Sequence, residues 1–384
     1  MGFLMRQRLI VIAGLLFAAG CTGLRMERTL RARPDDWPTF ARTTGHSATS
    51  PGALSPPLAR AWSEDIAAGT GNGSPVVVDS VVFVGNLRGD LYAFSASTGK
   101  QIGSIGLGDA IQGSPVIDGS VAYVALSNSR VSITAFDLFN GRALWRKSYG
   151  DVEVTPCLFR DRLYFGNTAG TFFCIEKATG DVRWKFEIPD NRTFKGIRSS
   201  PAADSATIVF GADDGTVYGL DADSGTVSWT FGTGAPVLAS PLIVPGRVFV
   251  GNRHGEFFAL DILTGRPMWK ARTAGSIYAN AVPAGSVIIV GNLSGEALGF
   301  SRSDGTLLWH TDLGGPINAG GAVAGRTVYI GTMKKQVFGL DPDNGAILWK
   351  TDAGGRIRTS PAAAFGRLFV TTDEHDLIAF REVK

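Results

Sequence analysis

Charge is sparse in this chain. Of 384 residues only 18% are charged, and 37 basic against 34 acidic residues leave a formal net charge of +3. So even a balance gives no electrostatic case for nucleic acid as a partner. Histidine is scarce too: His46, His254, His310 and His375 stand at unrelated positions, a poor basis for a metal cluster. Only three cysteines occur, Cys21, Cys157 and Cys174. There is no glycine-rich phosphate loop, because the Gly-x-x-x-Gly spacings sit between short apolar runs and not before helices. Long helical periodicity is lacking, and the apolar run Leu9 to Ala19 is too short to cross a bilayer as a helix.

What the chain has in quantity is apolar residues (44%) and glycine (50 residues), as expected of a large core with many tight turns. Its start reads differently. Arg6 and Arg8, the apolar run and Ala18-Ala19-Gly20-Cys21 make a secretory signal over 1–20. The cysteine directly after Ala-Gly resembles the bacterial lipobox, although Ala18 stands where Leu is usual; this implies lipid on Cys21. Thr22, where an Asp would argue for inner-membrane retention, favours the outer membrane. Residues 21–36 (CTGLRMERTLRARPDD) read as a flexible tether, and Trp37-Pro38 opens an extended, loop-like stretch up to Trp62.

Beyond it one pattern repeats. GNRHGEFFALDILTGRPMW ends at Trp269, and related copies end at Trp145, Trp184, Trp229, Trp309 and Trp349, in steps of 39, 45, 40, 40 and 40 residues. Such a period signals a repeat architecture. Within one copy, Val248-Phe249-Val250 is a strand, Gly251 to Gly255 a turn, Phe257 to Leu260 a second strand and Thr264-Gly265 another turn, with Trp269 on the strand after it. Ser240-Pro241 opens a further strand upstream, where proline's missing N–H is tolerated. Four short antiparallel strands per repeat predict a blade, and the blades an all-β propeller. Asp137, Asp221, Asp261 and Asp341 recur after the third strand, as turn caps would.

The last copy, from Ser360-Pro361, lacks its Trp strand, whereas Trp62 has a strand without a copy. Residues near 58–66 should therefore supply the outer strand of the terminal blade and close the ring. Counting Gly103 as an occupied Trp slot gives eight blades; discounting it gives seven. The eight-bladed ring is the reading adopted, with Trp62, Trp145, Trp184, Trp229, Trp269, Trp309 and Trp349 filling the wedges between blades. Cys157 and Cys174 should lie on strands one and three of one blade, about 9–10 Å apart, beyond disulfide reach.

The Ala-Leu-Asp-x-x-x-Gly-x-x-x-Trp pattern at Ala259 to Trp269 resembles the tryptophan-docking repeat of the pyrroloquinoline-quinone (PQQ)-type propellers, across residues 37–384. With the lipobox it is similar to the BamB family of outer-membrane assembly lipoproteins. That resemblance implies a monomeric, non-catalytic, periplasm-facing scaffold that contacts the barrel assembly protein BamA. The alternative in function is a binding module for another periplasmic protein or envelope polymer, ahead of a PQQ-dependent dehydrogenase, and the alternative in location is a soluble periplasmic or secreted protein. The quinoprotein dehydrogenases are longer and carry an adjacent Cys-Cys pair, calcium and a catalytic Asp. Neither the Cys pair nor room for large inserts is present, so no cofactor, metal or catalytic residue is expected. Partner contacts are expected where residues break the repeat: Phe194, Lys195, Ile197 and Arg198 in the longest inter-blade loop, Lys334 and Lys335 in the seventh blade, and Arg356 and Arg358 before the eighth. Arg198 before Ser200-Pro201 matches the position that contacts BamA in that family, whereas the acidic residues expected in the next loop, Gly232 to Ser240, are missing.

Overall fold

The computed structural model describes residues 23–127, 130–189, 192 and 194–383. Every regular element among them is a strand, and they form eight sheets built on four antiparallel strands each, one of which carries a fifth, parallel strand. Strand order from the axis outward follows the chain, as in blade 5: Leu242–Val244, Arg247–Gly251, Glu256–Asp261 and Pro267–Arg272. The two middle strands of each blade read as continuous apolar runs because sheets pack against both of their faces. The outermost strand meets only one neighbour. In Pro267–Arg272 the residue fully turned inward is Trp269.

Ring closure is as expected. Leu58–Asp65 pairs antiparallel with Asp376–Glu382 and places Trp62 opposite Ala379, completing blade 8 with Arg367–Thr371 and Ala362–Ala364. Six of the seven docking tryptophans stack on the turn glycine of the next blade; Trp349, whose next blade has no such turn, meets the Phe380 ring at 5.8 Å instead. A Cβ added to Gly305 would lie 2.6 Å from the Trp269 ring, and one added to Gly345 would lie 2.4 Å from that of Trp309. The indole N–H then donates to the first carbonyl of that turn, Trp229 to Ile262 at 2.8 Å and Trp309 to Pro342 at 2.9 Å. Cys157 and Cys174 flank Tyr164 on adjacent strands and are free, buried thiols.

Gly103 occupies the Trp register, opposite Ala93. Its missing ring is replaced by the segment expected to be a free tether. Leu24 is fully buried and packs on Gly103, with its Cα 3.1 Å from where a Cβ would stand. Arg25 covers Gly141, the glycine a Trp in this slot would meet. The backbone N–H of Met26 donates to Leu138 O at 2.7 Å, the carbonyl that would take the indole N–H. Arg28 and Arg33 then pair with the buried carboxylate of Asp79. The tether reading fails because a polar, basic stretch conceals three apolar residues, Leu24, Met26 and Leu30, that bury against blades 1 and 2.

The stretch after Trp37 is loop-like, as expected, but it is folded in turns over 39–45 rather than extended, with left-handed φ at Ala41, Arg42, His46 and Ala48, and it runs through the ring. Inner strands have one free edge at the axis, and the backbone of residues 37–50 bonds to it in blades 1, 2, 4, 5 and 7. Trp37 exchanges backbone hydrogen bonds with Val77, and the N–H groups of Ile117, Ala203, Ile243 and Val323 donate to the carbonyls of Pro38, Thr44, Gly45 and Ala48. Thr49–Ser50 adds a short parallel strand to blade 7. Trp37, Phe40, Ala41 and Ala48 are buried in the channel, so the chain plugs its own bore.

Candidate functional site

The end of the channel away from the plug entry is ringed by backbone and hydroxyls. Ser74 N–H donates to Ser114 Oγ (2.8 Å), Ser114 to Thr155 Oγ1 (2.8 Å), Thr155 to Ser200 Oγ (3.1 Å) and Ser200 to Ser240 Oγ (3.0 Å). These are the residues of the Ser-Pro steps, so the sequence motif is a hydrogen-bonded collar. In blade 7 the step has no side chain, and Asn280 Oδ1 reaches over to accept from Gly320 N–H at 3.2 Å.

Above the collar is a recess of about 210 Å³, floored by Phe40 of the plug and rimmed by Asn72, Glu153, Arg198, Leu238, Tyr278, Asn318 and Arg358. All seven rim residues stand two positions before a collar residue. This offset varies in chemistry from blade to blade, which is the signal by which Glu153, Tyr278 and Asn318 could have been found.

Inter-blade connections and second-to-third-strand turns share this face, as the sequence reading requires. The Asp213 N–H donates to Gly196 O, and that of Asp373 to Arg356 O. The predicted partner residues separate into groups. Phe194 is 67% exposed. Arg198 pairs with Asp213 and reaches Glu153 at 3.4 Å. Arg356 is bound to Asp373 at 2.5 Å, and Lys335 lies 3.6 Å from Glu374. Lys195 is on the same loop as Phe194. Lys334 lays its stem over Gly315. Lys334 and Arg358 are exposed and have no carboxylate partner among the described residues. Among the described residues, the predicted rim cations therefore divide into ion-paired ones and the unpaired Lys334 and Arg358, and do not form a uniformly basic band.

Ile197 does not belong to the surface. It is fully buried, and a Cβ on Gly166 would lie 2.2 Å from its side chain. Ile111, Val237, Ile277, Ile317 and Ile357 make the same contact with Gly85, Gly211, Gly251, Gly291 and Gly331. The residue obeys the repeat; the length of its loop disguised it.

The turn aspartates cap, as expected. Asp261 Oδ1 accepts from the N–H groups of Leu263 (3.1 Å) and Thr264 (2.9 Å) and from the Thr264 hydroxyl (2.8 Å). The Thr264 hydroxyl bond leads in holding its pKa below the ordinary value. Burial pushes the Cys157 thiol up to about 12 and the Cys174 thiol up to about 11. His46, buried in the plug, is held down at about 4 by desolvation, while its Nδ1–H donates to Pro241 O at 2.8 Å. Among the described residues no three of His, Cys, Asp and Glu gather as metal ligands.

A family model described as outer membrane protein assembly factor BamB matches residues 52–193, 187–316 and 293–383. The chain is 28% identical over 188 residues to the assembly factor BamB of Legionella pneumophila (strain Paris), a match spanning 46% of this chain and 47% of that protein. The chain thus spans about half the length of this relative. Among solved structures, BamB from Moraxella catarrhalis superposes with a TM-score of 0.72 at 20% identity, over 84% of this chain and 99% of that one. The quinohemoprotein alcohol dehydrogenase from Comamonas testosteroni gives 0.73 at 15% identity, over 92% and 82%. At such identities the superpositions speak for the propeller fold, which enzymes and assembly factors share. The family model covers nearly the whole ring, and the chain belongs to the family of the outer membrane protein assembly factor BamB.

Proposed function

We propose that this protein is a non-catalytic scaffold that binds another protein at the cell envelope, in the assembly and insertion of outer-membrane β-barrel proteins. The observation that carries this reading is the channel-mouth face. Exposed Phe194 and unpaired Lys334 lie on this face, and unpaired Arg358 lines its recess, which the chain's own plug closes below. A recess of about 210 Å³ falls short of the ~300–1,000 Å³ of ordinary small-molecule sites. An apolar anchor among cations suits a protein surface bearing carboxylates. BamA is the partner proposed, with Phe194, Lys195, Arg198, Lys334, Lys335, Arg356 and Arg358 at the contact. Lipid on Cys21 would hold the ring, as a monomer, at the outer membrane facing the periplasm.

The test is cross-linked co-purification of the tagged protein from solubilised membranes, with partners identified by mass spectrometry. Recovery of the barrel assembly machinery, reduced several-fold by Arg358→Glu, is the expected result. Recovery of other proteins alone, or of a bound quinone, would overturn it.

A further inference from the structure

The docked N-terminal segment fixes where the preceding chain leaves the ring. Gly23 already bridges to Ser104, and Leu24 is buried on Gly103. Cys21 stands two residues earlier, and two extended residues reach at most about 7 Å. A lipid on Cys21 would therefore bring the outer rim of blades 1 and 2 up against the membrane.

That rim has a surface to match. Arg25 donates from Nε to Phe139 O at 3.2 Å. Beyond Gly141 the outer strand Arg142–Lys147 exposes Arg142, Leu144 and Arg146. Ile102 and Phe139 flank it, 38% and 37% exposed, and Leu144 is 47% exposed. Among the described residues Arg25, Arg31 and Arg146 form no ion pair. Arg142 stands opposite Asp137, whose carboxylate accepts from the N–H groups of Phe139 and Asn140. Glu27 is the exposed acid of the segment.

We infer that the rim of blades 1 and 2 rests on an anionic lipid surface and holds the propeller edge-on to the membrane. The inference rests on the lipidation of Cys21 proposed above. The lipid alone would anchor the chain, and a basic patch beside it decides which face turns to the bilayer. Arginines at such a surface are drawn to anionic headgroups within a Debye length, and the exposed apolar side chains between them can enter the interface. The docked segment limits the orientation, because the chain from a lipidated Cys21 to the packed Leu24 is only three residues long.

The full chain, purified from membranes with its N-terminus read by mass spectrometry, would be placed in nanodiscs of phosphatidylglycerol and phosphatidylcholine carrying a headgroup acceptor dye. A donor dye would sit at Ala143→Cys on this rim or at Ser303→Cys on blade 6, across the ring. The buried thiols of Cys157 and Cys174, with raised pKa values, resist labelling. The expected result is energy transfer several-fold stronger from position 143 than from 303. Arg142→Glu with Arg146→Glu should erase that difference while leaving the melting temperature unchanged. Equal transfer from both positions with lipid on Cys21 sinks the rim assignment and leaves the anchor standing. A Cys21 without lipid sinks both.

Discussion

Two residues sit where their chemistry costs stability, and each predicts a measurement. His46 has φ of 61°, is buried against Phe40, and is neutral in the folded state down to a pKa of about 4. In the unfolded chain it titrates near 6.5, so between these values the unfolded state binds the extra proton and stability falls as pH drops. The loss from pH 7 to pH 4 should be on the order of 3 kcal/mol. Denaturant melts at the two pH values would show it, and His46→Asn, which tolerates positive φ, should flatten the slope. Lys335 has φ of 67° at the turn position where blades 1, 3, 4, 5 and 6 place Gly89, Gly170, Gly215, Gly255 and Gly295. A left-handed non-glycine residue costs about 1 kcal/mol. Lys335→Gly should therefore stabilise the protein by about that amount. If the lysine is kept for binding, the same variant should recover less partner in the co-purification. A gain in stability with unchanged capture would remove Lys335 from the contact.

At the scale of strands and segments, legibility followed the repeat. The blades, the Trp slots and the closing strand were readable because each copy restates one pattern of apolar runs and turn residues, and pattern period is what fixes a strand. The segment 23–36 has no copy to compare with, and its composition averages its arginines with three buried apolar residues. Only the vacancy at Gly103 hinted that something must fill that slot. Ile197 was misread in the opposite way, since a repeat position was hidden by an irregular loop length. The substitution for tryptophan can be tested directly. Gly103→Trp restores the docking ring, yet a Cβ at position 103 already lies 3.1 Å from Leu24 and 3.2 Å from Gly23 O. The ring should evict the segment while the blade stays folded. Trypsin should then cleave at Arg25 and Arg28 at least several-fold faster than in the parent protein, with the β-sheet circular dichroism intact. Unchanged cleavage would mean that Leu24 and the introduced indole share the slot. The collar offers a paired case. A Cβ on Gly320 would lie 2.4 Å from Asn280 Oδ1, so Gly320→Ser should destabilise by about 1–3 kcal/mol. Adding Asn280→Ser should return most of it, a coupling read by a double-mutant cycle.

For the whole molecule, the N-terminal region does three jobs in sequence: it fills a blade wedge, plugs the bore and closes the ring. These differ in what they leave behind when removed. Starting the chain at Ser55 deletes the wedge and plug segments. The inner-strand N–H groups of Ile117, Ala203, Ile243 and Val323 would then face a bore that water can enter, and a solvated backbone group costs little. What is lost is the burial of Trp37, Phe40, Ala41 and Ala48 and of Leu24, Met26 and Leu30. That variant should melt at a lower temperature yet remain a monomeric ring. Starting instead at Gly69 also deletes Leu58–Asp65, and with it the strand that pairs along Asp376–Glu382. The edge then exposed is long and unpaired, and Trp62 no longer spans to the turn at Ala96. Blades 8 and 1 lose their bond, and an open edge recruits other chains. Size-exclusion chromatography with scattering detection should find the first variant monomeric and the second associated or unfolded. If the Gly69 variant stays monomeric with native circular dichroism, the ring is held by blade-to-blade packing alone, and the closing strand serves some other purpose.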